Sequence, residues 1–314
     1  MKAAVLDEFG PSSVIHIRDI PKPTVSDGKV LVEVHATSIN PIDWKMRDGQ
    51  MAARFGEDFP MVLGFDCSGV VADVAADVSG FEVGDVVFGR SDLGTGGCYA
   101  EYAEVSAGTL VKKPDQLSHE EAASIVLVGL TVINGLVRCA KAQPGQKVLI
   151  VGASGGVGTL AVQIAKNVGA HVTGVCSGKN ADLVASLGAD AVIDYTKENA
   201  LETGPYDIVY DTVGVHQYDE ARQALTEDGI YLTLVPVPGI DFFIPGQSEF
   251  EKGKGYFVAW TTLTEDIEQL AAWVREGKLR PVIDSEFTLD QIREAHERSQ
   301  TERAVGKIVV RVRD

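Results

Sequence analysis

The chain has 314 residues, 45% of them hydrophobic, and a formal charge of −17. That length accommodates two domains of ordinary size, and the acidic balance argues against nucleic acid, whose phosphates demand a basic face. Met1 to Leu6 enters a strand-like pattern at once, leaving no room for a secretory signal. The longest apolar stretch, Ser124 to Val137, is interrupted by Gly129, Thr131, Asn134 and Gly135 and is too short to span a bilayer, so a soluble, cytoplasmic protein is expected.

To about residue 118 the sequence is dense in short β-like segments, Lys29–His35, Gly69–Val74, Asp85–Gly89 and Ala100–Val105, separated by Gly and Pro turns. This is the pattern of a compact barrel-like β domain. Cys67 lies in one such apolar run and reads as a small buried hydrophobe. Cys67, Cys98, Cys139 and Cys176 form no CxxC pair, and the six histidines are scattered, so neither a zinc knuckle nor a redox dithiol is predicted. From about Glu120 helices alternate with apolar strands: Ala191–Asp194, Asp207–Tyr210 and Ile230–Val235 as strands, Asp182–Leu187 and Gln217–Leu225 as helices. Tyr256–Trp260 reads as a last strand and Leu263–Glu276 as an amphipathic helix. The closing strand, Gly306 to Val310, needs a sheet already built, so the last segment is expected to return to the first domain.

The most informative stretch is Val148 to Gly158. Four apolar residues read as a buried parallel strand. The turn Ala153-Ser154-Gly155-Gly156-Val157-Gly158 follows, then a helix with Val157, Leu160, Ala161, Ile164, Ala165 and Val168 on one face. Strand, glycine turn and helix together make a dinucleotide site, because backbone without Cβ approaches a pyrophosphate closely and the helix N-terminus offers free N–H groups. The next strand, His171–Cys176, ends in Ser177-Gly178-Lys179-Asn180, where an NAD site usually places an acid for the ribose 2′-hydroxyl. A hydroxyl and a cation there would bind a 2′-phosphate, which favours NADPH over NADH.

These features resemble the medium-chain dehydrogenase/reductase superfamily over essentially the whole length, and within it the zinc-free quinone oxidoreductases and NADPH-dependent enone (alkenal/one) reductases. The residues that carry the resemblance are Asn40-Pro41-Ile42-Asp43, Gly84-Asp85-Val86-Val87, Gly129-Leu130-Thr131, Gly152–Gly158 and Leu187 to Tyr195. It implies an α/β chain with a GroES-like β-barrel catalytic domain at 1–120, completed by 278–314, and a Rossmann doubly wound parallel-sheet cofactor domain at 121–277. Zinc members carry Cys where this chain has Asn40, and Gly-His-Glu where it has Gly64-Phe65-Asp66. An amide and a phenyl ring leave no adequate zinc cage, so no metal is expected.

Carried over position by position, the resemblance assigns the pyrophosphate to Gly155, Gly156 and Val157, with Ser154 as a hydroxyl donor. Ser177, Lys179 and Tyr195 would meet the 2′-phosphate, with Asn180 able to share that role. Thr131 would line the nicotinamide side, Leu234 and Val235 would offer backbone groups to the carboxamide, and Arg303 matches a basic cofactor position. Asn40 and Lys45 are the candidate catalytic donors. Each has a plainer alternative: a turn before Pro41 for Asn40, solvated loop charge for Lys45, Lys179 and Arg303, packing for Tyr195. Asp43 and Asp66 are polar residues near the expected cleft, but no second acid or base in the sequence pairs with either.

The expected reaction is hydride transfer from NADPH to a quinone or to the β-carbon of an α,β-unsaturated carbonyl, whose oxygen needs hydrogen-bond donors in place of a metal. One-electron quinone reduction is a rival chemistry on the same frame, and a non-catalytic NADPH-binding scaffold is a rival class. Phe55, Phe59, Phe242, Phe243 and Phe250 fit an apolar substrate pocket or packing on the barrel. The strand Gly255–Trp260, without Pro or charge, is expected at a sheet edge covered by its mate in a homodimer, or in a tetramer built from dimers.

Overall fold

A computed structural model describes residues 1–92, 96–244, 251–258 and 263–313. These form two compact units. One comprises Met1–Leu127, Leu263–Arg275 and Pro281–Asp314, the other Val128–Thr262 and Glu276–Arg280.

The first unit opens with β1 (Lys2–Leu6), β2 (Ile15–Asp19) and β3 (Lys29–Ile39). The short helix Pro41–Arg47 follows, then β4 (Met61–Val62), β5 (Asp66–Val74), β6 (Val86–Arg90), β7 (Tyr102–Ser106) and β8 (Leu110–Lys112). Alternation along β3 and β5 sends Val30, Val32, Val34, Cys67 and Val71 into one core with Val87, Cys98 and Val105, as period-2 patterning requires. β1 pairs antiparallel with β2 and β4.

The second unit holds β9 (Lys147–Val151), β10 (His171–Cys176), β11 (Ala191–Asp194), β12 (Tyr206–Asp211), β13 (Leu225–Thr233), β14 (Asp241–Phe243) and β15 (Gly255–Val258). All pairings are parallel, in the order β11-β10-β9-β12-β13-β15-β14. Val148, Leu149 and Ile150 are fully buried, which accounts for their continuous apolar run; burying each is worth roughly 1.5–3 kcal/mol. From β9 the chain steps outward to β10 and β11, then reverses to β12. The switch point of this doubly wound sheet therefore lies between β9 and β12, where such sheets bind ligands.

The final strands, β16 (Ile283–Thr288) and β17 (Lys307–Arg311), return to the first unit. β17 pairs antiparallel with β3, Ile308 opposite Ile39 and Val310 opposite Thr37, and its register brings residue 307 to the end of β3.

Several expectations need correction. Gly255–Val258 is not the sheet's edge, because the three-residue β14 pairs outside it; Ala259 and Trp260 lie outside the described residues. Helix Thr264–Arg275 groups with the barrel unit rather than with 121–277, and Thr264 Oγ1 donates to the Gly108 carbonyl there at 2.6 Å. The apolar stretch after residue 118 forms a 21-residue helical run, His119–Cys139, long and apolar enough to cross a membrane by length and composition; 89% of its apolar window is buried within the fold, the mark of a core helix. Phe243 is buried against Tyr256, so it is packing. Phe59 meets Phe9 edge-on, and Phe250 lies outside the described residues.

Candidate active site

In the α/β unit Ser154, Gly155, Gly156 and Val157 follow the C-terminal end of β9, Ser177 and Lys179 that of β10, and Tyr195 that of β11. Helix Gly156–Asn167 starts from Gly155 with no side chain capping it, so its first N–H groups are open to an anion. Gly152 turns the chain at φ +78°, and a Cβ there would stand 2.4 Å from Val213 Cγ2; only glycine fits. Ser154, Gly155, Gly156 and Val157 are half-buried around this turn. Ser177 precedes a single 3₁₀ turn, Gly178–Asn180, whose Lys179 is exposed. Asn180 Nδ2 donates to Ser154 Oγ at 3.0 Å, which ties the two loops together.

An acid does stand beside this turn. A Cβ on Gly178 would lie 2.5 Å from Asp194 Oδ2, so a larger residue there would push the carboxylate aside. The carboxylate is already engaged: Oδ1 accepts from Thr196 N–H and Oγ1, and Oδ2 pairs with Lys197 at 3.2 Å. The bonds from Thr196 hold its pKa down to about 2. Tyr195, the next residue, is 53% exposed.

Thr131 is buried, its carbonyl accepting from Tyr210 Oη at 3.3 Å. Val235 N–H donates to Thr233 Oγ1, which donates in turn to the Val235 carbonyl. Its backbone N–H and carbonyl thus both bond locally to Thr233. Leu234 beside it is half-buried. Sequence reasoning passed over Asp211, at the end of β12 and fully buried. Its Oδ1 accepts the N–H groups of Val213 and Gly214, its Oδ2 that of His216, fixing the loop against which Gly152 turns. An acid closing an apolar parallel strand just before Thr-Val-Gly was the available signal.

The barrel unit carries the other group. Asn40 begins helix Pro41–Arg47; its N–H donates to Asp43 Oδ2 at 2.7 Å, and its carbonyl accepts Asp43 N–H. Its buried side-chain amide donates from Nδ2 to Asp66 Oδ2 at 2.7 Å, while Oδ1 accepts from Lys307 Nζ at 2.7 Å. Asp66 also accepts from Ser38 Oγ at 2.5 Å and, at Oδ1, from Leu127 N–H at 2.8 Å. Lys307 Nζ donates to the Ile39 carbonyl at 2.8 Å and lies 3.9 Å from Asp66. Tyr99 Oη donates to Asp43 Oδ2 at 2.7 Å, and among the described residues Asp43 Oδ1 has no hydrogen-bond partner.

Burial sets the electrostatics of this group. It pushes the Asp43 carboxyl up to about 7, against the Asn40 and Tyr99 hydrogen bonds, and raises Tyr99 well above an ordinary phenol. It lowers the Lys307 ammonium, while Asp66 and Asp43 act the other way. The pairing that sequence could not supply for Asp43 and Asp66 is thus here. An acid inside the β-run Phe65 to Val71 and a lysine opening the apolar strand Ile308–Val310 were the signals. Lys45 is half-buried on the same helix as Asn40, its Nζ 5.5 Å from the Trp44 ring. Arg303 is exposed on the barrel unit, its carbonyl accepting from Arg298.

Among the described residues, no group of three or more His, Cys, Asp or Glu is placed to hold a metal ion. The four cysteines are free and buried.

Residues 26–115 match the alcohol dehydrogenase GroES-like domain, and residues 187–310 the zinc-binding dehydrogenase family. The chloroplastic quinone-oxidoreductase of Triphysaria versicolor is 34% identical, over 99% of this chain and 98% of its own. The chloroplastic NADPH-dependent alkenal/one oxidoreductase of Arabidopsis thaliana is 32% identical over 99% of this chain and 79% of its own. The solved structure of the quinone oxidoreductase from Coxiella burnetii superposes with a TM-score of 0.85 at 32% identity, covering 100% of this chain and 99% of that one. The chain belongs to the medium-chain dehydrogenase/reductase superfamily, in its quinone and enone oxidoreductase branch.

Proposed function

We propose that this protein is an NADPH-dependent, zinc-independent reductase of quinones or α,β-unsaturated carbonyls. The observation that carries the reading is the uncapped helix start at Gly155 beside the Ser154–Asn180 and Ser177–Lys179 loops, together with the named activities of the relatives. The pyrophosphate would rest on Gly155, Gly156 and Val157, and the 2′-phosphate on Ser177, Lys179 and Tyr195. With Asp194 occupied by Thr196 and Lys197, the exposed Lys179 is left to favour a phosphate there. When bound, the reduced nicotinamide supplies a hydride.

The protein's own work is to bind, orient and donate. Asn40 would donate from its amide to the substrate oxygen that gains negative charge, and Lys45 adds positive charge from the same helix. An amide at 40 and a phenyl ring at 65 support catalysis without zinc. A homodimer belongs to this reading, now resting on the outermost strand β14, whose Phe242 is 46% exposed. A cytoplasmic location belongs to it as well.

The experiment is to follow NADPH absorbance with the purified protein across a panel of quinones, enals and enones, with simple alcohols and NADP⁺ as controls. Turnover of quinones or enones, and none of alcohols, is expected. Tight NADPH binding with no consumption across the panel would replace this reading with the scaffold one.

A further inference from the structure

The Asn40 amide is gripped at both ends. A lysine ammonium donates to its oxygen and a carboxylate accepts from its nitrogen, both at 2.7 Å. An amide can be turned end for end, and only its neighbours decide which way it faces. Here the reversed orientation would set –NH₂ against an ammonium and C=O against a carboxylate, turning two charge-assisted bonds into two repulsive contacts. An Nδ2 amide carries two hydrogens, and Asp66 takes one.

We propose that Lys307 and Asp66 are positioning residues of the reduction: by clamping the Asn40 side chain they hold its second Nδ2–H in the one orientation from which it can donate to the substrate oxygen. This rests on the reading that Asn40 is that donor. The antiparallel register of β17 on β3 delivers Lys307 to Asn40, and β5 begins at Asp66, so both jaws stand on sheet strands rather than loops. Such support is what a preorganised donor needs. The Lys307 bond to the Ile39 carbonyl fixes the ammonium from a second direction. Ser38 and Leu127 do the same for Asp66.

Lys307→Met alone would remove one of the cations that face the buried Asp66, leaving Arg90 across the strand, and would destabilise the barrel. The test therefore adds the charge-balanced pair Lys307→Met/Asp66→Asn, assayed with NADPH and a quinone or enone that the wild type turns over. The pair should fold and keep the NADPH KM, while kcat falls roughly ten- to a hundredfold, part of the loss expected for an oxyanion donor. Adding it to Asn40→Ala should lower kcat no further, since the clamp acts only through that amide. A folded pair with wild-type kcat, or losses that multiply with those of Asn40→Ala, overturns the clamp. If Asn40→Ala is slow while the pair is not, the clamp falls and the donor reading stands. If Asn40→Ala itself keeps wild-type kcat, the donor reading falls and takes the clamp with it.

Discussion

Asn180 reaches from the turn after β10 to donate to Ser154 in the glycine loop, at 3.0 Å. This single bond spends the Asn180 amide on loop geometry and leaves Lys179 as the exposed cation of that turn. Lys179→Ala should therefore weaken NADPH binding roughly ten- to a hundredfold, the equivalent of a charge-assisted bond of about 1.5–3 kcal/mol. NADH, which lacks the phosphate, should bind almost as before. Fluorescence titration with both cofactors decides it; equal losses for the two would make the lysine structural.

Asp43 gives a pH signature. Its carboxyl titrates near the usual 3.8 when unfolded and is pushed up to about 7 by burial in the fold. Between those values the folded state keeps a proton that the unfolded state has lost, so stability falls as pH rises from about 4 to about 7, by up to about 1.4 kcal/mol per unit. Asp43→Asn cannot titrate there. The melting temperature of the wild type minus that of Asp43→Asn should shrink from pH 5 to pH 8; a gap that is constant or widens would refute the assignment.

Gly64 has φ +92°, and a Cβ on it would sit 2.3 Å from the Tyr99 ring, whose hydroxyl bonds Asp43. Gly64→Ala combines a left-handed backbone cost of about 1–2 kcal/mol with overpacking of about 1–3 kcal/mol. Denaturant unfolding should show a loss of about 2–5 kcal/mol. A loss below 1 kcal/mol would mean that Tyr99 moves aside freely.

Metal analysis should find far less than one zinc per chain, and exhaustive chelation should leave NADPH-dependent turnover unchanged. Zinc at one per chain that is required for turnover would sink the zinc-independent reading.

Light scattering at micromolar concentration should report a homodimer or a multiple of it. Phe242→Lys on β14 should shift the population towards monomer; a wild-type monomer would remove the dimer from the reading.

The local parts of this protein were readable in its sequence. Val148–Val151, the glycine turn and the helix after it follow from strings of adjacent residues whose patterns carry their own structure. The order of the outer sheet was not, because β14 is three residues long and shows no periodicity. Nor was the setting of Asn40. Asp66 and Lys307 lie 26 and 267 residues away in the chain, and nothing local announces that strand pairing will bring them together. Asp43 and Tyr99 meet across 56 residues for the same reason. The grouping of helix Thr264–Arg275 with the barrel unit is likewise a tertiary choice, since its amphipathic pattern names a buried face but not its partner.

The return of β17 to β3 also sets an order of assembly. Synthesis runs from the N-terminus at about 5–20 residues per second, so Asn40 and Asp66 leave the ribosome roughly 10–50 s before Lys307, 267 residues after Asn40. Throughout that interval the edge of β3 that will receive β17 is open, and the Asp66 carboxylate faces its cross-strand neighbour Arg90 but still lacks the Lys307 ammonium. The sheet of the first unit therefore gains its last two strands only after the whole parallel sheet has been made. A chaperone acting on this protein would meet the cofactor half folded and the catalytic half still unfinished.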